Sequence, residues 1–336
     1  MRELCAYRTA AALLMAAGVL AGIGSGSLFA GASQQGAADD LDVIQVRPDF
    51  YMLAGAGGNV AVQIGPAGVV LVDTGSTRDA DRVLAAVKRL TNKPIRYVIN
   101  TSADADHTGG NEKLSKAGQT ILGNNGTSGV SEEVFTNGGA ASVLAHEGVL
   151  AAMSRAGSPP PFPLWPTKTY TGRLYSMYLN GDGIQVLHMP AAHSDGDSAV
   201  FFRRADVIVA GDVFDTTRFP LIDVRNGGSI QGEIDALNRL LDLAVPPWPL
   251  VWQGERTMVI PGHGFLSDYA DLLEYRNVVT MMRDRIQAMV EKNMTLAQVK
   301  AADPAKGFKA RYGSDTGPWT TDMFIEAVYT SLTART

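Results

Sequence analysis

From Leu41 onward, short runs alternate apolar and polar positions, the period-2 signature of strands half-buried in a sheet. "LDVIQVRPDFYMLAG" and "NVAVQIGPAGVVLVDTG" read as successive strands, with Gly65, Pro66, Ala67 and Gly68 marking a hairpin turn. The period then lengthens: "STRDADRVLAAVKRL" sets Ala80, Val83, Leu84, Val87 and Leu90 on one face of a helix, with Ser76 or Thr77 as N-cap. "IRYVIN" returns as a strand and runs into "NTSADADHTGG", whose glycines turn the chain into a short helix, "NEKLSKAG", before a strand at 120–122.

The middle of the chain breaks this rhythm. Residues 132–153 carry a helical pattern, and "GSPPPFPLWP" is too rich in proline for helix and predicts an extended loop. The stretch from about 124 to 174 therefore reads as an insertion. Strands resume in "YSMYLNGDGIQVLHMP", around an Asn-Gly-Asp-Gly turn, and in "SAVFFRRADVIVAGDVF"; helix follows at 231–243, a strand at "TMVIPGHG", a long helix at 267–292 and a last helix at "TDMFIEAVYTSL". No fixed-period repeat occurs. Strands then helices, twice over, suit two sheets packed face to face with helices outside: an α/β, four-layer αββα sandwich formed by a single domain over 41–336.

Seven polar residues fall at the ends of these strands: Asp73, Asp104, Asp106, His107, His193, Asp212 and His263. Side chains far apart in sequence but set on one rim of a sheet pair converge on one point.

In their order and context these residues resemble the metallo-β-lactamase superfamily, from about Val43 to Tyr269. "SADADH" aligns with that family's His-x-His-x-Asp-His motif, "AAHSDGD" supplies His193, "AGDVF" supplies Asp212 and "PGHG" supplies His263; "LVDTG" is similar to the family's early structural turn at Asp73. The resemblance implies metal ligation by Asp104, Asp106, His107, His193, Asp212 and His263, with Asp106 and His193 acting in catalysis and Asp212 bridging two ions, as in glyoxalase-II-like branches. It also implies that the glycine-rich "LAGAGGN", at 53–59, overhangs the site.

One half of the motif departs from the family. Ser102 and Asp104 stand where the first two histidines belong, while Asp106, His107 and His263 preserve the second half. The flavodiiron branch has a glutamate at the position of Asp104, although its flavodoxin-like domain has no counterpart here. A set of three imidazoles and three carboxylates admits Zn and makes Fe or Mn competitive. One firmly bound ion is expected at Asp106, His107 and His263; a second at Asp104, His193 and Asp212 stays open. A divalent ion with an open position lowers the pKa of bound water from roughly 15.7 to about 7 and polarises a carbonyl or ester oxygen. The expected activity is hydrolysis of a small-molecule ester, thioester, amide or lactam through metal-bound hydroxide. The alternatives are a binding or scaffold protein that has lost turnover and a mononuclear iron redox protein.

Composition narrows the field further. The 336 residues are 46% hydrophobic and 19% charged, enough for a sizeable core. The net charge of -5 comes without a basic run, which argues against nucleic acid as a partner. There is no Gly-x-Ser-x-Gly elbow, and the only cysteine is Cys5, so serine and cysteine nucleophiles are not indicated. Arg2 and Arg8 precede a long apolar run that ends in Ala30-Gly31-Ala32, the pattern of a secretory signal over 1–32 followed by a polar linker over 33–40. The expected location is periplasmic or secreted, with membrane contact only through an uncleaved leader. His146 and His188 read as structural, Asp195 and Asp197 as turn residues, and Phe162, Leu164 and Trp165 as an apolar wall or a pin for their loop.

Overall fold

The computed structural model describes residues 40–121, 139–155, 157, 159–247 and 256–334. The expected leader, residues 33–39 of the linker, and residues 124–138 of the expected insertion lie outside the described residues.

Two mixed sheets form the centre. The first runs in sequence order: β1 (Asp42–Arg47), β2 (Phe50–Ala56), β3 (Gly58–Gly65), β4 (Gly68–Val72), β5 (Ile95–Ile99), β6 (Ser142–His146) and β7 (Lys168–Tyr170). Its first four strands are antiparallel, and β5, β6 and β7 add in parallel. The second has the order β13 (Ser267–Asp268), β12 (Met258–His263), β11 (Val207–Asp215), β10 (Ser198–Phe202), β9 (Asp182–His188), β8 (Leu174–Leu179). Here only β11 and β12 are parallel. The β8–β9 hairpin closes through Asn180 and Gly181, both at positive φ (57° and 76°), the backbone twist that two-residue hairpins favour.

Alternation along the strands builds the layers. Val70, Val72 and Ile99 point inward with Phe50 and Met52 against Val186, Val200, Phe202 and Val209 of the other sheet. Phe50 and Phe202 meet edge to face at 4.8 Å. The intervening Val69, Leu71 and Val98 point outward under α1 (Ala80–Leu90) and α3 (Asn111–Lys116). On the far side, Ile208, Ala210 and Val259 meet α5 (Ile230–Leu243), α6 (Tyr269–Glu291) and α9 (Thr321–Thr333). This is the expected four-layer αββα sandwich. Among the described residues no helix is long and apolar enough to cross a membrane.

The middle of the chain corrects the sequence reading. Residues 142–146 are not helical but form β6, and β6 and β7 extend the first sheet, so this part of the expected insertion belongs to the scaffold; helix α4 begins only at Glu147 and ends at Arg155. His146 accordingly ends a strand. A parallel strand covered on both faces reads as an unbroken apolar run, which periodicity cannot separate from a helix. Thr120 and Ile121 are not in a strand. Two short helices, α7 (Leu296–Ala301) and α8 (Lys309–Tyr312), occupy a stretch where none was expected; α7 starts with a capping box between Thr295 and Gln298.

Removing the ring at the centre of the inter-sheet core, Phe202→Ala, should lower unfolding free energy by about 3–5 kcal/mol through lost burial and the cavity left behind. Chemical denaturation checks this.

Candidate metal centre

The site is assembled on one edge of the sandwich from the ends of β4, β5, β11 and β12 and the β9–β10 loop. Asp73 follows β4 with a left-handed φ of 62°, a conformation disfavoured for a side chain with a Cβ. Three hydrogen bonds hold it there. Its carboxylate accepts from the Thr101 backbone N–H at 2.8 Å and the Thr101 hydroxyl at 2.7 Å, and its Oδ2 lies 2.8 Å from His107 Nδ1. With Nδ1 engaged, His107 turns Nε2 toward the centre. His107 sits on the single turn α2 (Ala105–Thr108), and its carbonyl accepts from the backbone and hydroxyl of Thr74, at 2.9 Å each.

Asp212 lies inside β11 rather than after it, where the pairing with β12 shifts register at Gly211. Gly211 has a φ of 57°, and a Cβ there would stand 2.5 Å from Thr101 Oγ1. This bulge aims Asp212 across the gap between sheets. Its Oδ1 lies 3.1 Å from His107 Nε2 and 3.3 Å from His263 Nε2, and its Oδ2 accepts from the Ser102 hydroxyl at 3.2 Å. Asp106 Oδ2 stands 3.4 Å from His263 Nε2. His263 ends β12, whose following turn is tied to β3 by Asn59, donating to the carbonyls of Pro261 and Gly264.

His193 is buried in the β9–β10 loop. Its Nδ1 lies 3.2 Å from Asp197, which also accepts from the Ser194 N–H at 2.6 Å. Its Nε2 is buried with no hydrogen-bond partner and lies 3.5 Å from Asp104 Oδ2. All six sequence-predicted ligands are thus brought to one place. They form two groups able to hold an ion, Asp106 with His107 and His263, and Asp104 with His193 and Asp212, each with donor atoms within 4.8 Å of one another. Gly57 and Gly58 of the β2–β3 hairpin lie against Asp106 and His107, where a side chain at either would crowd the ligands.

The electrostatics are those of a site short of positive charge. Burial pulls the His107 imidazole down, but the Asp212 and Asp73 carboxylates outweigh it and hold the ring well above its ordinary value. His193 behaves alike: burial opposes its charge, and Asp197 with Asp212 and Asp104 raises it well above. Burial also opposes the Asp212 carboxylate, yet His107, His263 and His193 keep it well below the usual range. Asp104 is the exception. Desolvation, with Asp212 and Asp106 nearby, outweighs the imidazoles and raises its carboxyl to about 6.

The sequence profile of the metallo-beta-lactamase superfamily matches residues 54–247, more than half of the chain. The chain belongs to that superfamily. No curated protein matches it. Solved structures agree on the fold. The stereoselective inverting sec-alkylsulfatase Pisa1 from Pseudomonas sp. superposes with a TM-score of 0.60 at 17% identity, over 86% of this chain and 50% of that one. The chain thus spans about half the length of that relative. A metallo-beta-lactamase from Pontibacter korlensis superposes at 0.52 with 17% identity over 72% and 99% of the two chains, and DIM-1 metallo-beta-lactamase at 0.51 with 16% over 72% and 97%.

Against the pattern of this superfamily, sequence reasoning missed several supports. Asp197, which reads as a turn residue, also orients His193. Asn100 and Asn111, which exchange hydrogen bonds behind His107, carried no local signal. Glu233 did carry one: on α5 it falls in the stripe of Ile230, Ile234 and Leu237, where a charge does not belong. It is fully buried under His193 and Asp197 with neither carboxyl oxygen partnered among the described residues, and burial, then Asp197, push its acid well above the ordinary range.

Asp73→Ala should weaken metal binding about 10–100-fold by freeing the His107 ring, as titration with a chelator would show. A second outcome concerns the metal-free protein. Because the folded-state value of Asp104, about 6, lies above its unfolded-chain value of 3.8, this group favours folding below the lower value and loses that contribution as pH rises to the upper one. Thermal melts of Asp104→Asn should therefore lack part of the decline in stability that the unaltered protein shows across that window.

Proposed function

We propose that the chain is a metal-dependent hydrolase of small-molecule esters, with thioesters, amides and lactams as related substrates. The observation that carries this reading is the convergence of two donor groups on Asp212, together with a buried His193 Nε2 that lacks a partner. An imidazole nitrogen buried in that way costs about 1–3 kcal/mol unless something engages it, and a cation does. The residues present therefore fit a divalent ion.

Asp106, His107 and His263, backed by Asp212, would hold the firmer ion, for which zinc is the proposal; the oxygen-rich set at Asp104, His193 and Asp212 would bind a second, with iron or manganese as competitors. The ion supplies Lewis acidity and an activated water. The rest falls to the protein. Asp73 and Asp197 fix the two imidazoles, Asp212 faces both donor groups, and the half-exposed Asp106 and Asp104, at 38% and 40%, stand on the solvent side where water is oriented and a proton can be accepted. Esters head the substrate classes as the class to test first, and the sec-alkylsulfatase that shares the fold is named for one kind of ester, an alkyl sulfate. Export to the periplasm or beyond is proposed from the basic and apolar pattern of residues 1–32.

Ser102 supports a second reading, a binding protein without turnover. Its neutral hydroxyl, a poor ligand beside an imidazole, donates to Asp212 and accepts from the Asp104 backbone N–H where the family has a histidine.

Elemental analysis of the purified protein, paired with a screen of ester, thioester and lactam substrates, decides between them. At least one equivalent of zinc with ester turnover is expected, and a second equivalent would fill the Asp104, His193 and Asp212 group; iron would favour redox chemistry, and no metal the binding reading. Asp106→Ala and His263→Ala should each lose metal and lower activity more than about 100-fold. Full metal retention in both variants would refute the ligand assignment.

A further inference from the structure

Two imidazoles outside both donor groups lie face to face where the two sheets meet. His146 ends β6 of the first sheet and His188 ends β9 of the second, and their rings stack with centroids 3.6 Å apart and planes 12° apart. The Tyr170 ring meets His146 edge to face at 5.0 Å, and its hydroxyl pairs at 2.8 Å with Ser198 Oγ, on the first residue of β10. The cluster therefore brackets both ends of the β9–β10 loop, which carries His193.

Hydrogen-bond partners fix both tautomers. A carbonyl only accepts, so His188 Nε2–H donates to the Asp195 carbonyl at 2.8 Å. A backbone N–H only donates, so His146 Nδ1 accepts from Gly148 at 3.1 Å. Burial and the adjacent His188 lower His146 to about 4, which leaves that nitrogen free to accept. Both contacts end at one corner of the loop. A Cβ on Gly148 would stand 2.7 Å from Gly196 Cα and 3.0 Å from the Asp195 carbonyl oxygen, so the start of α4 lies directly against the Asp195–Gly196 turn.

From that corner the hydrogen bonds run on to the ligand. Asp197 closes the turn: its carboxylate accepts from the Ser194 N–H at 2.6 Å and the Ser194 hydroxyl at 2.7 Å, and it lies 3.2 Å from His193 Nδ1. Ser194 Oγ accepts in turn from the Gly196 N–H at 3.3 Å. On the other side the Asp195 N–H donates to the Asn226 carbonyl at 2.9 Å. A swing of the Asp195 carbonyl would carry Asp197 with it and turn His193 Nε2 away from Asp104 and Asp212. Phenyl rings would fill the space at the strand ends with less polar surface to desolvate. What an imidazole adds is a directed hydrogen bond, and that of His188 is directed at the His193 turn.

We propose that His188, held against His146, is a positioning residue for His193: its hydrogen bond to the Asp195 carbonyl sets the turn that aims His193 Nε2 at the second donor group. The consequence for an ion at Asp104, His193 and Asp212 rests on the reading of the metal centre above.

Two substitutions separate the hydrogen bond from the packing. His188→Phe keeps a ring on His146 and removes the donor, whereas His188→Gln keeps an N–H donor and removes the ring. In the full chain stripped of metal, NMR of nitrogen-labelled imidazoles follows the His193 Nδ1–H. Its exchange with water should be about 3–10-fold faster in His188→Phe, the scale of one hydrogen bond, and unaltered in His188→Gln. Zinc titration against a competing chelator should show the weaker of two ions bound about 10-fold less tightly in His188→Phe alone, with the firmer ion unchanged. Unaltered exchange in His188→Phe, or exchange in His188→Gln as fast as in His188→Phe or faster, marks packing and overturns the proposal. A weaker ion left unchanged by His188→Phe, or a firmer one weakened as much, overturns it too. If His188→Phe does not fold, His188→Leu takes its place under the same outcomes. If fewer than two ions bind the unaltered protein, the two-ion reading fails separately, and the exchange rates alone decide the role of His188.

Discussion

The Asp212 carboxylate is the interaction on which the site depends. One oxygen faces two imidazoles, His107 and His263, and the other accepts from Ser102. It also belongs to the donor group of Asp104 and His193. A carboxylate this deeply placed is stable only among cations, whether protonated imidazoles or a metal ion. The bulge at Gly211, the tie from Asn59 to the β12 turn and the Asp73 clasp on Thr101 and His107 all serve to bring positive or ligating nitrogen to that one group.

Behind the ligands, neutral and charged polar groups fix ring orientation. Asp73 holds His107 and Asp197 holds His193, each through Nδ1, so that both Nε2 atoms face inward. Ring placement is thereby decided before any ion arrives, and a rigid donor set loses little conformational freedom on binding. Glu233 lies beneath this layer, its carboxyl held well above the ordinary range by burial and by Asp197.

Ser102 changes the balance between the two halves of the centre. In donating to Asp212 it steadies the shared carboxylate but withdraws a donor from the position beside Asp104. That leaves one half with two imidazoles and the other with a single imidazole among carboxylates, an asymmetry that favours different cations in the two places.

Much of this was legible in the chain itself. Turn residues at 65–68 and 180–181, period-2 runs and the helical stripe at 80–90 set most elements, because those signals are local. The ligands of the 104–107 turn, like His193, Asp212 and His263, were legible only through motif contexts that resemble the superfamily's. The sequence did not reveal β6, since a doubly covered parallel strand has no alternation to read. Nor did it reveal the bulge that places Asp212 within β11, or the roles of Asp197, Asn100 and Asn111. Residue types, their order and the strands that carry them are therefore properties of the sequence alone. Which oxygen meets which nitrogen was decided only by the packing of one sheet against the other, because distances of about 3 Å between groups a hundred residues apart are set by that packing and by no local preference.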